Sequence, residues 1–391
     1  MAEQAPGHGP VIVVGGGFGG LYTALALAAR HQHPPILLIE PRERFLFLPL
    51  LYELLSGELR SWEVAPRYDS LLAGKGVAWL QDRVDRIDAA SGCVHTRAGR
   101  RLDFRQLVIA TGADTAHFGI PGVREHALGF RSLSDLDRLQ QRIEQLRQAP
   151  RPLQRLVVVG AGASGVELAC KLADLLTDRA GIELIEQGPQ LLPESRAFNR
   201  EQAEQALRRR GLTLRTNTKV TAVTADRLEL NGPGGSGSLN AAGVIWTAGL
   251  QFQPPPIDPP VARGSRGRLP CEPSLRLHGQ SRIFAIGDIA EVSDSPDSPL
   301  PINAQVAFQQ AECLARNLEH QWRDEPLEPF RYRDLGEMIS LGRGEASVTA
   351  NGITLAGPLA YQLRRLAYLT RLPGRSHQLR VAAGWLADLP G

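Results

Sequence analysis

Cysteine is scarce. The chain has four in 391 residues, Cys93, Cys170, Cys271 and Cys313, none in a C-x-x-C pair and none near another in sequence. That excludes a disulfide framework, argues against a zinc site or a local redox pair, and makes a reducing compartment the expectation. Long apolar runs are missing: nothing approaches the roughly 18 residues a spanning helix needs, and the most apolar window, 46–55, is broken by Pro49. The N-terminus lacks a basic segment followed by an apolar core, so no signal peptide is expected. Excess charge is missing too. Lys and Arg number 44 against 41 Asp and Glu, a net +3 that gives no case for a nucleic-acid partner. The nine histidines fall in no metal-ligand spacing, and no metal is expected. What is present is an average globular composition, 43% apolar and 22% charged, sufficient for two domains and an appendage.

The first recognisable unit is strand, glycine turn, helix, strand, acid. Val11-Ile12-Val13-Val14 reads as a buried strand, Gly15-Gly16-Gly17-Phe18-Gly19-Gly20 as the turn, Leu21 to about Arg30 as a helix, and Ile36-Leu37-Leu38-Ile39 as a second strand ending in Glu40. The pattern returns 145 residues later with Leu156–Val159, Gly160-Ala161-Gly162-Ala163-Ser164-Gly165, a helix to about Leu176, and Ile182–Ile185 ending in Glu186. In such a G-x-G-x-x-G turn the first glycine permits the bend, the second lets backbone approach a pyrophosphate, and the third lets helix and strand pack closely. The helix N-terminus offers N–H groups to the phosphates, and the acid accepts from ribose hydroxyls. Two copies predict two dinucleotides, one tightly held flavin and one exchanging nicotinamide. The fold class is therefore α/β, with two Rossmann-like dinucleotide-binding domains. Two more strands run into small residues, Leu107–Ala110 into Thr111-Gly112 and Ile283–Ile286 into Gly287-Asp288. Ser134 to Arg147 reads as a polar helix capped by Ser134, Gly232 to Gly237 as a loop, and Pro254–Pro260 and Ser293–Pro301 as connections.

The last stretch differs. Gly357 to Leu389 sets Leu363, Leu366, Leu369, Tyr361, Tyr368 and Trp385 among Arg364, Arg365, Arg371, Arg375 and Arg380, with Asp388 as its one acid and Pro373-Gly374 as a break. The pattern predicts two amphipathic helices with arginines on one side and Leu, Tyr and Trp on the other. Such helices lie on an anionic membrane surface, or else pack on the protein's own core or on a second subunit.

The order of these motifs resembles the pyridine nucleotide-disulfide reductase superfamily, in which the first turn binds FAD and the late Gly-Asp meets the flavin ribitol. No redox cysteine pair is present, so the thiol–disulfide branches are excluded and electrons must pass straight to an acceptor. Phe47-Leu48-Pro49-Leu50-Leu51-Tyr52-Glu53, Gly165-Val166-Glu167-Leu168-Ala169, Trp246-Thr247-Ala248-Gly249 and Ala304-Gln305-Val306-Ala307-Phe308-Gln309-Gln310 resemble motifs of the type II NAD(P)H:quinone oxidoreductases. Stretches such as Trp62-Glu63-Val64-Ala65-Pro66 and Leu128-Gly129-Phe130-Arg131 resemble one branch, the cyanobacterial and plastid-type demethylphylloquinone reductases of phylloquinone biosynthesis.

The resemblance implies an FAD-binding domain in two parts, 1–118 and 251–335, a NAD(P)H-binding domain over 119–250, and a membrane-association or dimer segment over 336–391. It implies non-covalent FAD against Gly15, Gly17, Gly19, Gly20, Glu40, Thr111, Gly112, Gly287 and Asp288, and NADH or NADPH against Gly160, Gly162, Gly165, Glu186, Ala248 and Gly249. Glu186 with Gln187 after it leans toward NADH, because an acid there repels a 2′-phosphate; the branch itself is associated with NADPH. Glu167 and Gln305 are the catalytic expectations, and Tyr52, Gln305 and Gln309 border the quinone. Each has a plainer reading: Glu167 in the helix's first turn favours the dipole, Gln305 and Gln309 share an exposed helix face, Tyr52 packs in the core, and Asp288 caps a helix. The implied setting is peripheral, on the cytoplasmic side of a membrane (thylakoid or plasma membrane if cyanobacterial). The alternatives are a reductase of a soluble acceptor and a flavin- and NAD-binding sensor without turnover.

Overall fold

A strand covered on both faces reads as an unbroken apolar run, and Val11–Val14 is one, buried at all four positions. It is central in a five-stranded parallel sheet ordered Ile283–Ala285, Gln106–Ile109, Val11–Val14, Ile36–Ile39, Val77–Leu80. The computed structural model describes residues 9–148, 154–295 and 298–387; Asp388, Leu389 and part of the Ser293–Pro301 connection lie outside them. The chain divides into two units, each assembled from three separate segments.

The first unit comprises Met1–Phe45, Ala65–Asp114 and Gln251–Asp334. Its first glycine turn leads into the Phe18–Ala28 helix, which packs along the Ala304–Trp322 helix, where Tyr22 and Phe308 meet edge to face with ring centroids 4.8 Å apart.

The second unit comprises Leu46–Val64, Thr115–Leu250 and Leu335–Gly391. It repeats the design. Gln154–Val159 is central in a parallel sheet ordered Thr213–Arg215, Ala180–Ile185, Gln154–Val159, Gly243–Trp246, Ala127–Leu128. In both sheets the turn-bearing strand lies between the strand that ends in the acid and the later strand that ends in small residues. Two expectations are corrected here. The polar helix runs Leu133–Gln148, so Ser134 lies inside it, and Ser132 Oγ accepts from Asp135 N at 3.1 Å as the cap. The glycine-rich stretch is a hairpin, Gly235–Asn240 pairing antiparallel with Arg227–Gly232; a backbone ladder needs no side chains.

After Leu335 come three antiparallel strands, Glu337–Ser340, Ala346–Ala350 and Ile353–Gly357, then helices Pro358–Leu369 and Arg375–Ala387 either side of the Pro373-Gly374 break. The leucines face outward as a membrane-facing stripe requires, but the tyrosines, Trp385 and Arg364 do not take the sides expected of them. Arg364, Tyr361 and Tyr368 are buried inside the unit, while Leu359, Leu363, Leu366, Leu379 and Leu386 are exposed. Trp385 points inward as well: its Nε1 donates to Glu63 Oε1 at 2.8 Å, and the Arg365 guanidinium lies over its ring at 4.3 Å. Periodicity alone cannot tell an outward apolar stripe from an inward one when the inward face carries aromatic rings and a paired arginine.

Candidate functional site

The two turns are built alike. Gly15 has φ +100° and Gly160 φ +102°; a Cβ on Gly15 would lie 2.4 Å from Ala110 O, and one on Gly160 3.0 Å from Ala248. These are the Ala110-Thr111-Gly112 and Thr247-Ala248-Gly249 ends of the neighbouring strands. A Cβ on Gly20 or Gly165 would sit 1.8 Å from the carbonyl oxygen of Gly15 or Gly160. At Gly17 and Gly162 a Cβ would meet nothing within 4 Å, and neither following helix has a side-chain cap. Each turn therefore presents uncapped N–H groups over an open cradle, which fits a pyrophosphate.

The acids follow the same plan. Glu40 Oε2 accepts from Gly16 N at 2.7 Å, and Glu186 Oε2 accepts from Ala161 N at 2.8 Å. The other oxygens accept from Arg42 N at 2.9 Å and Gly188 N at 2.7 Å. Burial alone would raise the Glu40 carboxyl, but Arg42 and the Gly16 N–H outweigh it and hold it below its ordinary value. Tyr68, unmarked in the sequence, donates to Gly16 O at 2.7 Å, and Trp79 Nε1 donates to Glu40 O at 3.1 Å. Gly249 is crowded from outside: a Cβ there would lie 2.2 Å from the Phe118 ring.

Elsewhere in the first unit, Gly19 abuts the Ile286 side chain, and Gly287, at φ +71°, donates its N–H to Gln310 Oε1 at 2.7 Å. Asp288 caps no helix: Ile286 holds the cap position of its short turn, and Asn303 caps the Ala304–Trp322 helix. Of the three glutamines, the buried one is Gln310. Gln305 Oε1 accepts from Tyr332 OH at 2.9 Å, and Gln309 both donates to Arg333 O at 2.8 Å and accepts from Arg333 N at 3.1 Å. Gln310 carries no signal in the sequence beyond its place next to Gln309.

In the second unit a cluster of ionisable groups surrounds Glu167. The helix begins at Ala163, so Glu167 lies past its first turn, not in it. Its Oε1 accepts from Ser340 N at 2.7 Å and lies 3.4 Å from Arg364 Nη2. Tyr52, buried with its ring 5.2 Å from Phe130, hydrogen-bonds both Ser164 and Glu167. Arg364 pairs with Glu53 at 2.6 Å and also donates to Pro49 O at 2.6 Å. Lys171, one helical turn beyond Glu167, lies 3.8 Å from Glu53 and in closer contact with Glu58, which also accepts from Tyr361 OH at 2.6 Å. Burial pushes Glu167 up to about 7, against the opposing pull of Arg364 and the Ser340 N–H; Glu53 adds to the push. A carboxyl near 7 can hold or release a proton at neutral pH. The sequence marks Tyr52 and Glu167 as site residues; Glu53 stands there only as the end of a motif and Arg364 only among the C-terminal arginines, and Glu58 and Lys171 are unmarked. The Glu167/Lys171 spacing of four was the local signal available.

The cysteines cannot relay electrons. All four are unpaired and buried, and burial pushes Cys170 and Cys271 up to about 12. Asp88, Cys93 and His95 do gather their donor atoms on one hairpin. Arg86 donates to His95 Nε2 at 3.1 Å, and Arg101 hydrogen-bonds Cys93, so guanidiniums already occupy those donors.

Residues 9–311 match the pyridine nucleotide-disulphide oxidoreductase family model, and the chain belongs to that family. Within it, the chain is 41% identical over 384 residues to the demethylphylloquinone reductase NdbB of Synechocystis sp., covering 96% of this chain and 95% of that protein. It is 35% identical to the alternative NAD(P)H-ubiquinone oxidoreductase C1, chloroplastic/mitochondrial, of Arabidopsis thaliana, covering 96% of this chain and 80% of the other. Among solved structures, NDH2 from Plasmodium falciparum in complex with NADH superposes with a TM-score of 0.83 at 18% identity, covering 95% of this chain and 97% of that one. That last likeness is one of fold.

Proposed function

We propose that this protein is an FAD-dependent NAD(P)H:quinone oxidoreductase whose acceptor is a membrane naphthoquinone, demethylphylloquinone being the first candidate. The observation that carries the reading is the pair of dinucleotide cradles, each with its own acid, in a chain whose thiols are all unpaired and buried. Similarity to proteins described as quinone reductases supports the same reading. The first turn, with Glu40, Thr111-Gly112 and Gly287-Asp288, would hold FAD; the second, with Glu186 and Ala248-Gly249, would hold the nicotinamide cofactor. The chemistry FAD supplies when bound is two-electron exchange between a nicotinamide and a quinone. The balance is NAD(P)H plus a proton plus quinone giving NAD(P)+ and quinol, and Glu167 is the acid that gives the proton to a quinone oxygen. Tyr52 orients that acid, and Gln305 and Gln309 border the acceptor. Glu186 would meet the ribose hydroxyls and favour NADH over NADPH.

No helix among the described residues is long and apolar enough to cross a membrane. We place it as a peripheral protein that does not pump protons, on the cytoplasmic face, where nicotinamide is available. The exposed leucines of the last two helices are its contact.

A panel of acceptors with both nicotinamides tests the reading. Purified protein should release FAD on denaturation, turn over with a naphthoquinone, and show the higher kcat/KM with NADH. Turnover with soluble dyes alone would make it a reductase of a soluble acceptor. Tight NADH binding with negligible turnover would make it a sensor.

A further inference from the structure

The buried cluster around Glu167 holds three acids and two bases. Glu53, Lys171 and Arg364 are fully buried, and Glu58 is mostly so. With Glu53 and Glu58 ionised against Lys171 and Arg364, those four charges cancel. Glu167 is the supernumerary acid: protonated, it leaves the cluster neutral, and ionised it leaves one uncompensated buried negative charge, which is costly in a desolvated site. Arg364 spans the two halves, 2.6 Å from Glu53 and 3.4 Å from Glu167. Glu53 Oε2 and Arg364 Nε are buried without a protein partner, so the Glu53 charge is incompletely screened within the cluster.

We propose that Glu53, Glu58, Lys171 and Arg364 form a charge-balanced tetrad that keeps one proton on Glu167, with Glu53 and Lys171 as its positioning residues. The inference deepens the quinone-reductase reading and rests on it for the proton's destination. On transfer the Glu167 O–H bond breaks and an O–H bond forms on the quinone; the two electrons come from NAD(P)H through the activity already proposed. The groups facing Glu167 are Tyr52 and Glu53 from the 51–55 helix, Cys170 from its own helix, the Ser340 N–H, and Arg364 and Tyr368 from the 358–369 helix, with Lys171 one turn on against Glu53 and Glu58. Cys170 and Tyr368 are both raised by burial and stay neutral, while Asp174, Glu345 and Arg210 act on the same helix from beyond Cys170 and are unchanged in every variant below.

Charge balance makes a prediction of sign that a merely structural role does not. Glu53→Gln leaves the tetrad one positive charge in excess and should lower the pH at which Glu167 titrates. Lys171→Met leaves one negative charge in excess and should raise it. The readout is the protonated-carboxyl C=O stretch in infrared pH titrations of the FAD-loaded protein without acceptor, assigned by its loss in Glu167→Gln. Each single variant should shift the midpoint by about tenfold or more in proton affinity, one pH unit. Lys171→Arg should titrate like the wild type, and the double variant Glu53→Gln/Lys171→Met should return toward it. If Glu53→Gln does not fold, Glu58→Gln at the cluster's outer edge makes the same charge change. Shifts of one sign in both variants, or no shift in either, overturn the proposal. Because no quinone is present, the titration stands apart from the acceptor panel, and failure of one is distinguishable from failure of the other.

Discussion

A buried carboxyl with a raised pKa leaves a signature in stability as well as in catalysis. Glu167 lies near 7 in the folded protein against an ordinary 4.5. Between those values the folded chain keeps a proton that the unfolded chain has lost, so the contribution is complete below about pH 4.5 and disappears as pH rises through about 7. The whole shift corresponds to about 3 kcal/mol. Glu167→Gln should lack this slope: between pH 5 and pH 8 in denaturant titrations, the wild type should lose up to that much more stability than the variant. Identical slopes would remove the shift from Glu167. At this scale the sequence was legible where a motif was local. Tyr52 and Glu167 were both singled out, and the structure joins them by a hydrogen bond. Arg364 was not, because it approaches Glu167 across 197 residues of chain, and a polar face and a buried ion pair look the same in one dimension.

Among elements, the two glycine turns were legible as turns: Gly15, Gly20, Gly160 and Gly165 each meet backbone that a Cβ would strike, while Gly17 and Gly162 open on the cradle. The demands differ, and that difference is testable. Gly162→Ala places a methyl in open space, whereas Gly165→Ala places one 1.8 Å from the Gly160 carbonyl oxygen. Gly162→Ala should therefore leave the melting temperature unchanged while raising KM for NAD(P)H, as the methyl intrudes on the phosphates. Gly165→Ala should lower the melting temperature itself. A variant pair that behaves alike in both measurements would mean that the cradle does not face the cofactor. The elements misread were those whose partners decide them. Ser132 and Ser134 are equally good caps until the helix start is fixed. A run such as Gly235-Ser236-Gly237-Ser238 becomes a strand through the Arg227–Gly232 ladder and not through its own propensity.

For the whole molecule, the proposed membrane contact can be tested. Leu359, Leu363 and Leu366 share one helix face and are exposed. Burying each in lipid contributes about 1.5–3 kcal/mol. Of the five arginines counted in this segment, Arg375 and Arg380 are the exposed ones, at about 1 kcal/mol each near an anionic surface. The apolar term wins. The protein should sediment with neutral as well as anionic liposomes and resist added salt, and the triple variant Leu359→Ser/Leu363→Ser/Leu366→Ser should bind at least about 100-fold more weakly. If that variant keeps its liposome affinity but changes from dimer to monomer, the leucines cover a subunit interface instead. The same geometry rules out truncation before Gly357 as a route to an intact soluble enzyme, since it would remove Tyr361, Arg364 and Tyr368 from the interior.

The sharing of Arg364 between Glu53 and Glu167 also sets a timetable for the newborn chain. Arg364 is synthesised 197 residues after Glu167, which at ribosomal speed is roughly 10–40 s. Throughout that interval the two carboxylates lack the Arg364 guanidinium. Until then Lys171 is the base of the tetrad that Glu53 and Glu58 can meet, and the 358–369 helix offers Glu167 nothing. The charges of the tetrad can therefore balance only after the 358–369 helix has been made.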